Sequence, residues 1–151
     1  GQVSMSTLVA LDPGKVNMGW AQYRDGVLAS CGLTTAHSPA SHARGLAHLA
    51  DPDVLVLEQM APRDLPNAAD LIAVSHTGAY VSGALRPVVL HYPTALEWKG
   101  SVPKRIHHDR LAAKLTHAER AVVAEVAVRV PAGLLHNVWD AVGLGLWGLR
   151  R

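Results

Sequence analysis

The stretch Thr7-Leu8-Val9-Ala10-Leu11-Asp12-Pro13-Gly14 decides the fold. It begins with a short apolar run, and the aspartate, proline and glycine that follow are turn formers. The pattern therefore predicts a buried strand that ends at Asp12. A second continuous apolar run, Val54-Leu55-Val56-Leu57, ends at Glu58. Because such runs are typical of strands covered on both faces, the two runs predict a sheet with helices packed on it.

The remaining patterns predict a single α/β domain over residues 1–151. Strands over Met18–Tyr23 and Val27–Leu33 flank Arg24-Asp25-Gly26, a hairpin signal. A fifth strand is predicted over residues 87–91, and a loop containing Pro93, Gly100 and Pro103 follows it. Helices are predicted over residues 41–50, 67–85, 104–115, 116–128 and about 136–149, the fourth opened by a Thr116-x-x-Glu119 capping box. This order favours a mixed five-stranded sheet with helices on both faces.

Composition excludes several classes of protein. With 49% hydrophobic and 17% charged residues, the chain is too apolar to be disordered. It has no apolar run near the ~20 residues of a membrane span and no signal peptide pattern, so we expect a soluble cytoplasmic protein of a bacterium or phage-infected cell. The single Cys31 is expected to be a buried structural thiol. Gly1–Ser4 precede Met5 and are set aside as a cloning remnant.

Three carboxylates occupy unusual positions. Asp12 and Glu58 each end an apolar strand, and Asp140 lies inside an apolar helix. If the two strands are parallel neighbours, their carboxyl ends adjoin, and open α/β sheets build their sites there. Burying three carboxylates together is unfavourable unless a cation compensates, and hard oxygen ligands favour Mg²⁺ or Mn²⁺. Taken singly, Asp12 also fits a plain turn residue and Asp140 a solvated helix position.

Three segments resemble the motifs of RuvC-type Holliday junction resolvases, in the same order. They are Leu11–Trp20, Val56–Met60 and Asn137–Leu146. The short chain, with Trp98-Lys99-Gly100 and Val102-Pro103-Lys104, looks more like the phage-type members. The resemblance implies a ribonuclease H-like fold and a homodimer that holds a four-way DNA junction and nicks two opposed strands. It implies no nucleotide cofactor and no membrane.

The same resemblance implies a metal site. Asp12, Glu58 and Asp140 carry over as ligands of two Mg²⁺ or Mn²⁺ ions, which in such sites lie about 3.5–4 Å apart, with Asp12 bridging both. The family's fourth ligand, an aspartate or histidine, corresponds here to the neutral Asn137, which offers its amide oxygen. His136 is the alternative, because residues i and i+4 are neighbours on a helix and it therefore lies beside Asp140. His136 also fits a helix-capping or core histidine.

Basic residues predict where DNA binds. They concentrate in residues 99–110, and the candidates for phosphate contact are Lys99, Lys104, Arg105, His107, His108 and Arg110. Lys104 is the first choice because it opens a helix after a proline. Lys15 follows the Asp12 turn, and Arg63 lies in the loop 61–66, where its guanidinium plane suits stacking on a base. A solvated helix face or a turn lysine is the plainer account of these residues.

The long helix over residues 67–85 is expected to pack against its two-fold mate through Ala73, Gly78 and Ser82.

Three other functions fit parts of the sequence. A sugar-kinase or actin-like ATPase also has an aspartate and glycines after its first strand, but it needs a second similar domain. A non-catalytic junction-binding protein would explain Asn137 but not the three retained acids. A ribonuclease H cutting RNA–DNA hybrids shares the fold and the metals, and it differs in acting as a monomer.

Overall fold

The computed structural model describes residues 6–65 and 67–151. The strands are β1 (Thr7–Asp12), β2 (Asn17–Arg24), β3 (Val27–Thr35), β4 (Val54–Leu57) and β5 (Val89–His91). They form one sheet in the order β3-β2-β1-β4-β5, in which β1, β2 and β3 are antiparallel and β4 and β5 run parallel to β1. The predicted mixed five-stranded sheet is confirmed. The segment Gly1–Ser4, set aside above, lies outside the described residues, as does Pro66 of the loop 61–66.

Helices cover both faces of the sheet, as predicted. They are α1 (Pro39–Gly45), α2 (Ala68–Leu85), α3 (Ala95–Lys99), α4 (Lys104–Lys114), α5 (His117–Ala127) and α6 (Leu135–Gly148), with 3-10 turns at Ala47–Leu49 and Ala132–Leu134. One core lies between the sheet and α2 and includes Val9, Leu55 and Val81. The other lies beneath α6, α4 and α5. In the part of the chain described, no helix is long and apolar enough to span a bilayer.

The β2–β3 hairpin confirms the turn predicted from the sequence. Arg24 pairs with Val27, so Asp25 and Gly26 are the two turn residues, and both have positive φ angles, 49° and 79°. Two residues with positive φ give the turn whose twist matches that of the flanking strands. Cys31 on β3 is buried, and burial raises the pKa of its thiol to about 12, as expected of a structural cysteine.

The structure differs from the sequence prediction at three elements. Helix α1 begins earlier, because Ser38 caps it and Pro39 occupies its first turn, and it ends at Gly45, before a 3-10 turn. Strand β5 is shorter than predicted. The predicted loop after it contains α3, which a capping box between Thr94 and Glu97 starts.

Two of the three residues predicted to pack α2 on a two-fold mate are corrected, and the packing itself stays a prediction. Gly78 and Ser82 are buried inside the chain, and Gly78 faces Leu57 of β4. The exposed large side chains of α2 are instead Ile72 and Tyr80.

An ion pair between Glu119 and Arg151 joins the elements on the α6 face. Arg151 donates to both Glu119 carboxylate oxygens at 2.7 Å, and it also donates to the carbonyls of Gly26 and Lys114. The backbone amide of Leu28 donates to the same carboxylate at 2.7 Å. These hydrogen bonds hold the pKa of the buried Glu119 carboxyl down at about 2. The pair thus ties the hairpin, α4, α5 and the end of α6 together.

We predict that Arg151→Met lowers the free energy of unfolding at pH 7 by about 3 kcal/mol, because it leaves a buried carboxylate without its partner. Urea unfolding followed by circular dichroism measures the loss. The control is Arg129→Met: Arg129 lies 3.9 Å from Glu125 on the exposed side of α5, and such pairs contribute at most about 0.5 kcal/mol. Equal losses of stability in the two variants would show that the buried Glu119–Arg151 pair contributes no more than an exposed pair.

The same pair predicts a pH dependence of stability. Because the pKa of Glu119 is lower in the folded chain than its ordinary value of 4.5, its contribution is complete above pH 4.5 and disappears as the pH falls towards about 2. Wild-type protein should therefore lose more stability over this interval than Arg151→Met does.

Candidate active site

The parallel pairing of β1 and β4 brings Asp12 and Glu58 to the same edge of the sheet. Leu11 pairs with Leu57, and the amide of Glu58 donates to the carbonyl of Leu11 at 3.3 Å. Each acid therefore follows its strand at the same level. The sequence expectation that these carboxyl ends adjoin is confirmed.

Helix α6 supplies the third acid. Gly19 of β2 is the strand partner of Asp12, and a Cβ atom at Gly19 would collide with the carbonyl of Asn137. The helix can approach β1 and β2 closely only because this position is glycine. Asn137 and Asp140, which are three residues apart and so share a helix face, come to the edge where Asp12 and Glu58 end.

The three carboxylates line a single cavity of about 420 Å³. They are buried, with exposed fractions of 8% for Asp12 and 5% for both Glu58 and Asp140. The other polar residues of its lining are Asp64, Lys99, Lys104, His136 and Asn137. Every residue predicted for metal binding is thus in one place, together with the two lysines.

The buried carboxylates of the cavity repel one another when they are ionised. Burial raises the pKa of Asp12 well above its ordinary value, and the charges of Asp140 and Glu58 raise it further. Burial also raises the pKa of Glu58, while Lys99 opposes the rise. Buried acids whose charged forms are disfavoured in this way are typical of sites where a positive partner balances the charge.

Trp98 of α3 orients Glu58, a role that no local sequence pattern indicates. Its indole Nε1 donates to Glu58 Oε2 at 3.1 Å, and Lys99 Nζ lies 5.2 Å from the centre of its ring. The bridge between Gln59 and Thr94 carries α3 to this position. The Thr94-x-x-Glu97 capping box was the sequence signal that could have located the helix.

His108 of α4 contacts Asp140 rather than projecting from the surface. Its Nε2 atom lies 3.3 Å from Asp140 Oδ1, and its ring stacks at 6.2 Å on Trp139. His136 lines the same cavity, and burial followed by the charge of Lys104 lowers the pKa of its imidazole. A neutral imidazole is the form that can bind a metal.

The structure separates the other predicted DNA contacts. Arg105 is exposed on α4, Arg63 is exposed in the loop after β4, and Lys15 is exposed in the turn after β1. None of these three lines the carboxylate cavity, and Arg110 lines a neighbouring one.

The donor atoms of the cavity fit a divalent cation in their chemical type but not in their placement around one point. Three carboxylates and an amide oxygen in one cavity are donors of the kind that Mg²⁺ or Mn²⁺ prefers. Over residues 6–65 and 67–151, however, no group of three or more His, Cys, Asp or Glu side chains is placed so that it could hold one ion. This suits Mg²⁺, which is usually bound through one or two carboxylates, water and substrate phosphate rather than by a closed protein cage.

The mixed five-stranded sheet with helices on both faces is the ribonuclease H-like fold that the motif resemblance implies. Neither a protein-family model nor a curated protein matches the sequence.

Solved structures with a similar fold do exist, and two of them are structures of RuvC. The structure described as "T. thermophilus RuvC in complex with Holliday junction substrate" matches with a TM-score of 0.58 and 12% identity over 94% of this chain and 91% of that one. "Thermus thermophilus RuvC structure" matches with a TM-score of 0.52 and 12% identity over 93% and 92%. The chain therefore has the fold of RuvC, and the resemblance inferred from its motifs is confirmed at the level of the fold.

We predict that Asp12→Asn stabilises the protein by about 0.5–2 kcal/mol at pH 7.5 in EDTA, because it removes a buried charge that two neighbouring acids repel. The raised pKa of Asp12 means that its penalty is present at neutral pH and disappears as the pH falls towards its ordinary value of 3.8. The gain should therefore vanish near pH 4.

Urea unfolding at pH 7.5 and pH 4 measures this gain. Glu125→Gln is the matched acid-to-amide control, because Glu125 is 78% exposed, and it should change stability little at either pH. A less stable Asp12→Asn protein at pH 7.5 would exclude the electrostatic conflict described above.

Proposed function

We propose that this protein is a metal-dependent endonuclease that resolves four-way DNA junctions by paired hydrolysis of phosphodiester bonds. One observation carries the proposal: three buried carboxylates from β1, β4 and α6 line the same cavity as Lys99 and Lys104. Acids alone would repel a phosphodiester, and lysines alone would bind it without cutting. A cavity with both fits hydrolysis of a phosphate ester assisted by cations. The fold shared with RuvC supports the junction as substrate.

Each residue of the cavity has a role in this proposal. Asp12, Glu58 and Asp140 hold Mg²⁺ or Mn²⁺, and Trp98 fixes the carboxylate of Glu58 through its indole hydrogen bond. Bound divalent ions supply activation of water and stabilise the charge on the phosphate and the leaving oxygen. Asn137 offers a neutral amide oxygen as a further ligand, with His136 as the alternative. Lys99 and Lys104 contact the phosphates on either side of the cut.

DNA beyond the cut site would lie along α4. Its first residue, Lys104, lines the cavity, and Arg105 and Arg110 are exposed further along the helix. Contacts of this kind provide affinity and salt dependence but little choice of sequence. Arg63 and Lys15 remain candidates for contacts to the junction outside the cavity.

Resolution of a junction needs two cuts, and a homodimer would make them symmetrically. An apolar surface is available for a second copy. It comprises exposed side chains of α2 and of the edge strand β5 with its flanks, namely Ile72, Tyr80, Val88, Val89, Leu90 and Tyr92. Exposed apolar patches beside an unpaired strand edge are typical of association surfaces.

We predict paired symmetric nicks in a synthetic four-way junction with Mg²⁺ or Mn²⁺ and none with EDTA. The gel should also contain a flap, a linear duplex and an RNA–DNA hybrid. Asp12→Asn should abolish cutting, and Glu125→Gln should keep the wild-type rate. Cutting that survives EDTA would exclude the metal mechanism, and cutting of the hybrid alone would replace the junction resolvase with a ribonuclease H. Binding without cutting would indicate a non-catalytic junction protein.

We predict that Lys104→Ala weakens junction binding equally for all junction sequences and reduces the slope of log K against log salt by about 1, the loss of one phosphate contact. Fluorescence anisotropy with a labelled junction in EDTA, over a series of salt concentrations, gives the slope. Arg129→Ala on α5, outside the cavity lining, should leave the slope unchanged. A wild-type slope in Lys104→Ala would show that Lys104 does not contact phosphate.

A further inference from the structure

A second pocket of about 350 Å³ lies beside the carboxylate cavity, between α3, α4 and the end of α6. The two cavities share only Lys99 among their lining residues. Trp98 and His107, whose rings are in edge contact at 5.0 Å, line the second pocket on the side of Glu58. The pocket is therefore adjacent to the proposed active site but separate from it.

The second pocket is strongly positive. Among residues 6–65 and 67–151, its lining contains no aspartate or glutamate and five cationic residues, namely Lys99, Arg110, Lys114, Arg150 and Arg151. The whole chain has a formal net charge of only +2. Since like charges gathered around one concavity repel each other, the grouping favours an anion inside it.

Lys99 also lines the carboxylate cavity, and two of the other four cations, Arg110 and Arg150, are available to bind the anion. Arg151 is already paired with Glu119, and Lys114 Nζ donates to the carbonyl of Arg151 at 3.4 Å. Within the described residues, neither Arg110 nor Arg150 forms an ion pair, and both are exposed at the rim. Guanidinium groups with unused donors are the side chains best suited to bind phosphate oxygens in pairs.

The wall of the pocket contains a polar atom without a partner. His107 is only 7% exposed, and within the described residues its Nε2 atom makes no hydrogen bond. A buried ring nitrogen without a partner is unfavourable, and an oxygen atom of a ligand or of a bound water would satisfy it.

Aromatic rings extend the pocket on one side. Trp147 and Arg150 also line a smaller cavity of about 300 Å³ with His91 and Gly148, and the rings of His91 and Trp147 are in edge contact at 6.3 Å. Flat rings next to arginines are the usual surroundings of a nucleotide, because bases stack on rings while arginines bind the phosphate.

We propose that the pocket between α3, α4 and the end of α6 is a phosphate-binding site, distinct from the carboxylate cavity, with Arg110 and Arg150 as its principal ligands. The phosphate belongs either to a free mononucleotide or to the backbone of a DNA strand. The site requires no divalent cation and no cleavage, so it does not depend on the proposed nuclease function.

The first experiment titrates wild-type protein in EDTA with inorganic phosphate, with a deoxynucleoside 5′-monophosphate and with a short single-stranded oligonucleotide. Two-dimensional ¹H–¹⁵N spectra follow the indole N–H signals of the tryptophans, assigned by single Trp→Phe variants. Trp98 and Trp147 should shift on binding, and Trp20, which lies outside the pocket, should not. Saturation by phosphate or mononucleotide identifies a free-ligand site, and shifts with the oligonucleotide alone identify a DNA-backbone site. No shift with any of the three, or equal shifts at Trp20, overturns the proposal.

The second experiment compares two double variants of equal charge. Arg110→Gln with Arg150→Gln should weaken binding of the ligand found above by about tenfold or more, as expected for the loss of charge-assisted hydrogen bonds. Arg24→Gln with Arg129→Gln removes two exposed arginines outside the pocket and should leave binding within about twofold at constant salt, because distant surface charges are screened. Equal weakening in both would mean that net charge, not the pocket, binds the anion. Asp12→Asn, which removes a proposed metal ligand outside this pocket, should abolish cutting and keep wild-type binding of the ligand found above. Loss of that binding in Asp12→Asn would overturn a site separate from the carboxylate cavity.

Discussion

Helix α6 lies directly on the sheet, and the composition of the carboxylate cavity depends on that contact. Two glycines make it possible, since a Cβ atom at Gly19 would meet the carbonyl of Asn137, and one at Gly145 would meet the ring of Tyr23. The hydroxyl of Tyr23 then donates to the carbonyl of Val142 at 2.8 Å and joins the helix to β2. Without this contact Asp140 would stand away from β1, and the two strand-end acids would lack their third member. The close packing of the α6 backbone on the sheet therefore determines which charged groups meet in the carboxylate cavity.

Two cavities that differ in charge lie on either side of Lys99, which lines both. One gathers buried acids, and burial together with like charges raises the pKa of Asp12 and Glu58. The other gathers arginines and lysines. Neither arrangement stabilises an empty protein, because acids outnumber lysines in the first cavity and the described lining of the second has cations without an acid. Proteins retain such local conflicts at functional sites, where a ligand of the opposite charge relieves them. A phosphate ester with divalent cations meets the requirement of the first cavity, and a phosphate alone meets that of the second.

The sequence correctly predicted the elements whose position depends on a local pattern of residues. Apolar runs located β1 and β4, and a Thr-x-x-Glu pattern located the start of α5 at Thr116. The same pattern at Thr94 starts α3, but Pro93 and Gly100 favour a loop, so local signals conflict there and the loop prediction is wrong. Contacts between distant segments carry no local pattern. The hydrogen bond from Trp98 to Glu58 and the contact of His108 with Asp140 join residues far apart in the chain. The second pocket likewise draws its cations from α3, from α4 and from the residues after α6.

Helix α4 connects the two cavities, and it is held in an unusual way. Only His107 and Leu111 of this helix are buried, so apolar packing contributes less to its position than it does for α6. His108 contacts Asp140, Lys104 lines the carboxylate cavity and Arg110 lines the second pocket. The contact of His108 with Asp140 therefore holds α4 against α6 where apolar packing is sparse, and Lys104 and Arg110 remain available to ligands in the two cavities. The neutral Asn137 fits this arrangement, because a second acid on α6 would add repulsion in a cavity that Asp12, Glu58, Asp64 and Asp140 already line.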